Sequence, residues 1–403
     1  MSPSLFSSEE ISGTEVVASR PRCAKCGLYK HCKSPKMEGS GRANKPILFV
    51  AEAPGKAEDA RGIQLVGHAG QLLRETLHEI GIDLDMCRKI NAINCRPEKN
   101  RTPTSLEIDH CRPMVWNEIR SSAPNVIVTL GASALESLIG RDWKAALGGI
   151  GRWRGYQIPH RELGAWICPT YHPSFLLRQD EKDGSHVLFR TDLTNAVSKM
   201  REPVPIPEQK EAASVGLIWD EQDAIDVITE VTEHNEIVAF DYETTGLKPQ
   251  AEGHDIISCA ISSEDFGTWA FPMTRKLYPA WIKFLISETR KVAANLKFEE
   301  KWSQHIFGVC VNEWVWDTML AAHVLDNRRG VSPMDFQAYA ILGVRDYSSH
   351  LKPYLKGKDD KNANSLNRIH DVDLEELLVY NGIDALLERQ LAEIQMNTTG
   401  VNE

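Results

Sequence analysis

The sequence predicts two α/β domains in tandem, and three observations carry the prediction. The chain has 403 residues, more than one hydrophobic core usually organises. Apolar strand-like runs alternate with segments of helical periodicity on both sides of its middle. Between them lies Arg201-Glu-Pro-Val-Pro-Ile-Pro-Glu-Gln-Lys210, whose alternating prolines read as an extended linker. The expected division is a tail over 1–19, a first domain over 20–200, a linker over 201–215 and a second domain over 216–403.

Residues 47–51 and 126–130 are short continuous apolar runs that suit buried strands, and 166–169 is another. Residues 71–80 and 132–139 place apolar side chains at helical spacing. Cys95 and Cys111 are separated by a loop rich in Pro, Asn and Arg. In the second half, 220–234 reads as an amphipathic helix, 236–242 as an apolar strand, and 256–262 with 268–271 as a hairpin. Residues 281–289, 300–306, 318–325 and 374–394 then read as helices, with a polar loop at 356–367.

Composition limits the function classes. With 42% hydrophobic and 25% charged residues the chain is neither a disordered polyampholyte nor a fibrous repeat. Its longest apolar runs fall far short of the roughly 18 residues that cross a bilayer, so no membrane partner is expected. Residues 1–18 carry Glu9, Glu10 and Glu15 and lack a basic stretch followed by an apolar one, which argues against secretion and for a cytoplasmic location. In such a reducing compartment the nine cysteines are metal ligands or buried thiols rather than disulfides. The net charge of -10 is unevenly spread. Residues 1–200 hold 27 Lys and Arg against 22 Asp and Glu, a local +5, while residues 201–403 hold 19 against 34, a local -15. A basic half suits a phosphate backbone, and an acidic half suits divalent cations.

Cys23-Ala-Lys-Cys26, Cys95 and Cys111 form a set of four thiols that suits tetrahedral zinc or a four-iron cluster. Ala51-Glu-Ala-Pro-Gly55 turns directly out of a strand, so backbone N–H groups can face a ligand beside Glu52 and Glu58. Gly62-Ile-Gln-Leu-Val-Gly-His-Ala-Gly70 leads into a helix whose first amides favour an anion. Tyr171-His-Pro-Ser-Phe-Leu-Leu-Arg178 puts a histidine just after a strand.

Over most of 20–200 these residues resemble the family 4, iron-sulfur uracil-DNA glycosylases. The matching segments are 51–55, Val66-Gly-His-Ala-Gly-Gln-Leu-Leu73, Asn91-Ala-Ile-Asn-Cys-Arg-Pro97 and His172-Pro173. The resemblance implies an α/β/α sandwich and a [4Fe-4S] cluster on Cys23, Cys26, Cys95 and Cys111. It also implies a flipped uracil read by Asn91, with His172 donating to the carbonyl that becomes anionic. Glu52 and Glu58 would hold the water or the cationic sugar, and Ala53 and Leu65 would lie beside the base. Leu176 and Leu177 would wedge into the vacated stack, with Arg178 on phosphate. Two positions depart from the family: Gln64-Leu65 stands where members carry Pro-Phe, and Ala51 where they carry Gly.

In Asp241-Tyr-Glu243 two carboxylates at i and i+2 on an apolar strand share one face, where they repel unless a cation joins them. Tyr380 and Asp384, at i and i+4 on a helix, also share a face. Asn295-Leu-Lys-Phe-Glu299 and Trp316-Asp317 supply further acids. Residues 216–395 thus resemble the DEDDy 3'-5' proofreading exonuclease domain of family A DNA polymerases, phage type, which implies an RNase H-like fold. By that resemblance Asp241, Glu243 and Asp384 bind two Mg2+ or Mn2+ ions, Glu299 ligates indirectly where bacterial enzymes have Asp, Tyr380 orients the water and Asn295 touches the substrate. The expectation is a bifunctional DNA-processing enzyme. The alternative is a replication accessory that recognises the base without excising it. Because 19 residues after Asp384 leave no room for a polymerase module, a separate polymerase chain is the expected partner.

Overall fold

The computed structural model describes residues 23–42, 46–180, 183–207, 210–234, 237–357, 359 and 362–401. The expected tail over 1–19 and residues 208–209 of the expected linker lie outside them. The chain divides into two compact units: Met1–Arg141, Trp153–Gly155 and Glu162–Pro203 form one, while Asp142–Arg152, Tyr156–Arg161 and Val204–Glu403 form the other.

The first unit is built on parallel strands β1 (Ile47–Ala51), β2 (Arg88–Asn91), β3 (Val126–Leu130) and β4 (Ala165–Thr170), hydrogen-bonded in the order β2-β1-β3-β4. Every residue of β1, β3 and β4 is buried, as expected of a sheet covered on both faces. Helices His68–Glu79, Ser105–Ser122 and Ala132–Ile139 belong to this unit. Ser105–Ser122 corrects the sequence reading, which placed only a loop before Cys111. Thr104 and Glu107 form a reciprocal capping box that starts this helix, and Cys111 sits inside it.

In the second unit, strands β5 (Val215–Leu217), β6 (Ile237–Thr244), β7 (Ile256–Ser263), β8 (Gly267–Pro272), β9 (Arg290–Ala293) and β10 (Trp314–Asp317) run in the order β10-β9-β6-β7-β8-β5. The β6-β7-β8 meander is antiparallel, and β9, β10 and β5 pair in parallel with their neighbours. Period-two alternation sorts the side chains of β6. Phe240 and Tyr242 enter the large aromatic core with Trp281, Phe284 and Trp302, whereas Ala239 faces Ala392 and Met396 of the helix Leu374–Thr399. Asp241 and Glu243 therefore share the face that this helix covers. Small residues let it come close: Ala260 and Ala270 pack on Leu378 and Ala385, and a Cβ on Gly382 would lie 2.2 Å from Val215 Cγ1. The helix expected over 281–289 is Tyr278–Leu285, started by Pro279 in its first turn.

Candidate active sites

In the second unit, ligand oxygens of Asp241, Glu243 and Asp384 all lie within 4.8 Å of one another, the one such set of three or more acid, His or Cys groups among the described residues. Two come from one face of β6 and the third from the helix that crosses it. Burial pushes the Asp241 and Glu243 carboxyls well above their ordinary range, and neighbouring carboxylates push them further. Burial raises Asp384 too, opposed by hydrogen bonds from Tyr347 and Tyr380. Like charges held this close call for cations.

The surrounding groups aim these acids. Asn381 Nδ2 donates to Asp241 Oδ2 at 2.7 Å, and its own Oδ1 accepts the Ser258 hydroxyl at 2.8 Å. Tyr347 donates to Asp384 Oδ1 at 2.5 Å, with its ring 6.0 Å from that of Tyr380. Asp317 caps the helix Thr318–Leu325 and accepts the backbone N–H groups of Asn295 and Leu296 at 3.1 and 3.2 Å. It thereby holds Asn295, at φ 66°, in the left-handed conformation. Glu299 is buried outside the close set, and so is Glu388. Sequence reading missed Asn381, Tyr347 and Glu388. Asn381 and Glu388 were visible as the i-3 and i+4 neighbours of Asp384, whereas only the fold brings Tyr347 in.

The first unit has a cleft of about 270 Å³ lined by Glu52, Ala53, Gly55, Glu58, Leu65, Asn91, His172 and Arg178, with Asn100, Arg101 and Ser174 also on its wall. Sequence reading missed the last three. Asn91 reaches it because β2 pairs in register with β1, Ala51 opposite Asn91. Burial raises the Glu52 carboxyl above its ordinary range, although Ser133 donates to it at 2.9 Å and Arg178 attracts it. Ser174 N–H donates to His172 Nδ1 at 3.1 Å, so the neutral ring carries its proton on Nε2. Burial and the charge of Arg178 push the His172 pKa down to about 4.

Two expectations change here. Glu58 Oε1 accepts N–H groups of Val66 and Gly67 at 3.1 and 2.8 Å, which makes one carboxylate oxygen a tether for the loop beside the cleft. Leu176 is 1% exposed and belongs to the core, so it cannot wedge into DNA, whereas Leu177 is 51% exposed. Leu65, at φ 54°, is buried on the cleft wall. Its carbonyl sits where a Cβ on Gly70 would be, 1.9 Å away, so the helix that follows must carry glycine at that point.

Cys26 and Cys32 pack on a small apolar cluster that contains Cys95 and Cys111. Burial pushes the Cys95 thiol up to about 12, with Cys32, Cys111 and Cys26 adding to the effect, and Cys111 up to about 11, with Cys26 and Cys23 adding. The four expected ligands therefore gather in one region. Among the described residues no three cysteines bring their sulfurs within 4.8 Å of one another.

Residues 38–196 match the Uracil DNA glycosylase superfamily, and residues 217–396 match a 3'-5' exonuclease family. A type-4 uracil-DNA glycosylase of Thermotoga maritima is 35% identical over 199 residues, which cover 49% of this chain and 99% of that protein. A DNA polymerase of Bacillus phage SP01 is 26% identical over 330 residues, 73% of this chain and 34% of that protein. The solved structure of Brucella melitensis NrnC with bound Mg2+ aligns with 47% of this chain and 85% of its own at 18% identity and a TM-score of 0.35.

Proposed function

The chain belongs, through its first half, to the type-4 uracil-DNA glycosylase family and carries a 3'-5' exonuclease domain in its second; from that premise we propose two hydrolytic reactions on DNA. The first is removal of nucleoside monophosphates from a 3' end. The observation that carries it is the convergence of Asp241, Glu243 and Asp384. Mg2+ or Mn2+ bound there supplies positive charge to the attacking and leaving oxygens. Around that charge Asn381 fixes one oxygen of Asp241, Tyr347 fixes one of Asp384, and Tyr380 orients the attacking water. Glu299 acts through water, and Asn295 meets the terminal nucleotide. The test is a nuclease assay of Asp241→Ala beside the unmodified chain: loss to background is expected, and an unchanged rate overturns the reading.

The second reaction is excision of uracil or a related pyrimidine. Cleaving the N-glycosidic bond leaves negative charge on the base and positive charge on the sugar. Asn91 can donate and accept at the pyrimidine edge, and the Nε2 proton of His172 stabilises the base anion without prior ionisation of the ring. Glu52 faces the cationic sugar or the attacking water, with Leu177 in the stack and Arg178 on phosphate. Incubating a single-uracil oligonucleotide in EDTA and then cleaving with alkali tests this. A second reading, recognition without excision, is favoured by Leu65, whose aliphatic side chain cannot stack as an aromatic ring does. Binding of uracil DNA without alkali-labile product would select it.

Cys23, Cys26, Cys95 and Cys111 would hold a [4Fe-4S] cluster in a structural role. A brown protein with broad absorbance near about 400 nm is expected, and colourless protein with zinc overturns it. The match to a phage DNA polymerase supports a polymerase chain as partner. Failure to bind or stimulate one would count against that.

A further inference from the structure

Tyr347 meets Asp384 only while the segment that follows the helix Met334–Leu342 keeps its course, and residues 343–347 form neither helix nor strand. What holds them comes from much earlier in the chain. Asp142–Arg152 and Tyr156–Arg161 belong to the second unit, although they lie outside its exonuclease match at 217–396. Their rings pack on the helix: the Trp143 centroid lies 5.6 Å from that of Tyr339 and 6.0 Å from that of Phe336, and Tyr156 lies 5.3 Å from Phe336. Both contacts with Phe336 are edge-to-face, an arrangement that aromatic pairs favour.

Three contacts then fix the segment itself, step by step from the helix end. Arg161 Nη2 donates to the Leu342 carbonyl at 2.9 Å, one of the last-turn carbonyls that a helix leaves without an internal partner. Gly343 follows at φ 68°, and the Pro159 carbonyl oxygen lies 2.1 Å from where its Cβ would be, so the backbone is seated against that carbonyl. Asp142 Oδ2 lies 3.4 Å from Arg345 Nε and 3.0 Å from His160 Nε2. An exposed ion pair holds little, but the Asp142 side chain is only 11% exposed and is met from two sides. Tyr347 comes two residues after Arg345.

We propose that Asp142 and Arg161 are positioning residues of the acid site: they set the course of residues 342–346 so that the Tyr347 hydroxyl reaches Asp384. Neither acts on the acids directly. Both work through the Tyr347 hydrogen bond, which aims one ligand oxygen, and the proposal rests on the nuclease reading of that site. The bond leaves little margin. Tyr347 Oη stands 2.5 Å from Asp384 Oδ1, and a displacement of about 1 Å takes the pair to the limit of hydrogen-bond range.

The experiment is equilibrium titration of the full chain with Mn2+, for Asp142→Ala, Arg161→Ala and Tyr347→Phe singly and for each of the first two combined with Tyr347→Phe. Asp142→Ala and Arg161→Ala should each weaken Mn2+ binding on the order of tenfold, as the loss of a group that orients a ligand does. In the Tyr347→Phe background the same changes should cost less than about twofold, because the bond they protect is already gone. Equal losses in both backgrounds mark a merely structural role and overturn the proposal. If either alanine variant does not fold, Arg345→Gln, made at a side chain that is 45% exposed, must give the same pattern, and its failure to do so overturns the proposal. Mn2+ binding that the single variants leave unchanged overturns the proposal alone, whereas no Mn2+ on the unmodified chain overturns the nuclease reading with it.

Discussion

Replacing Gly70 with alanine tests how the cleft of the first unit is built. The added methyl would lie 1.9 Å from the Leu65 carbonyl oxygen, and ordinary contact begins at 3.4 Å, so the backbone must open by the difference, 1.5 Å. The loop has little freedom to absorb this, because Leu65 is already left-handed and Glu58 holds the next two N–H groups. Overpacking of this kind costs about 1–3 kcal/mol, and for a unit of this size each kcal/mol lowers the Tm by about 2–4 °C. Function suffers more, since displacing a group that positions the substrate by about 1 Å can cost on the order of 100-fold in rate. Uracil release from a single-uracil oligonucleotide in EDTA reads the first unit, and digestion of undamaged single strands with Mn2+ reads the second. Gly70→Ala should lose the former and keep the latter. Wild-type uracil release together with an unchanged melting temperature would refute the argument that this contact shapes the cleft.

Three further outcomes follow from the geometry. The folded pKa of His172, about 4, lies below its ordinary value of 6.5. The unfolded chain therefore binds the extra proton first, and this residue's contribution to stability, full above pH 6.5, is lost as pH falls through that window; melting curves of His172→Gln should show a shallower fall between these limits. Tyr347→Phe removes the donor to Asp384 and should weaken Mn2+ binding by about tenfold without changing uracil release, which equilibrium titration and the alkali assay check together. Addition of Mg2+ should raise the melting temperature of the unmodified chain and not of the Asp241→Asn, Asp384→Asn double variant, as scanning calorimetry would show.

Much of the acid site was legible because its residues obey simple periods. Asp241 and Glu243 alternate on an apolar strand, and Tyr380 and Asp384 repeat along a helix. Strands β2 and β9 escaped because Lys89 and Lys291 interrupt their apolar pattern. Both lysines are buried, Lys89 donating to the Leu84 carbonyl at 3.1 Å and Lys291 to that of Thr289 at 2.7 Å, a solution that only the folded chain displays. The helix Ser105–Ser122 was hidden by Pro113 and its polar residues, although its capping box was readable in Thr104 and Glu107. No local pattern in this short segment tells which of two adjacent leucines faces solvent, so the sequence assigns Leu176 and Leu177 the same role. Tyr347 is 37 residues from the acid it holds, a distance no local pattern crosses.

The floor of small side chains under the helix Leu374–Thr399 carries a lesson about heredity. Tyr380, Asn381 and Asp384 meet at the acid set because a single rigid rod presents them on one side, and each residue added to an α-helix turns everything beyond it by about 100°. Point changes along that rod can be absorbed one at a time. A single codon gained or lost between Tyr380 and Asp384 would rotate the carboxylate out of the site while leaving every residue type in place, so this stretch should drift in spelling but keep its length.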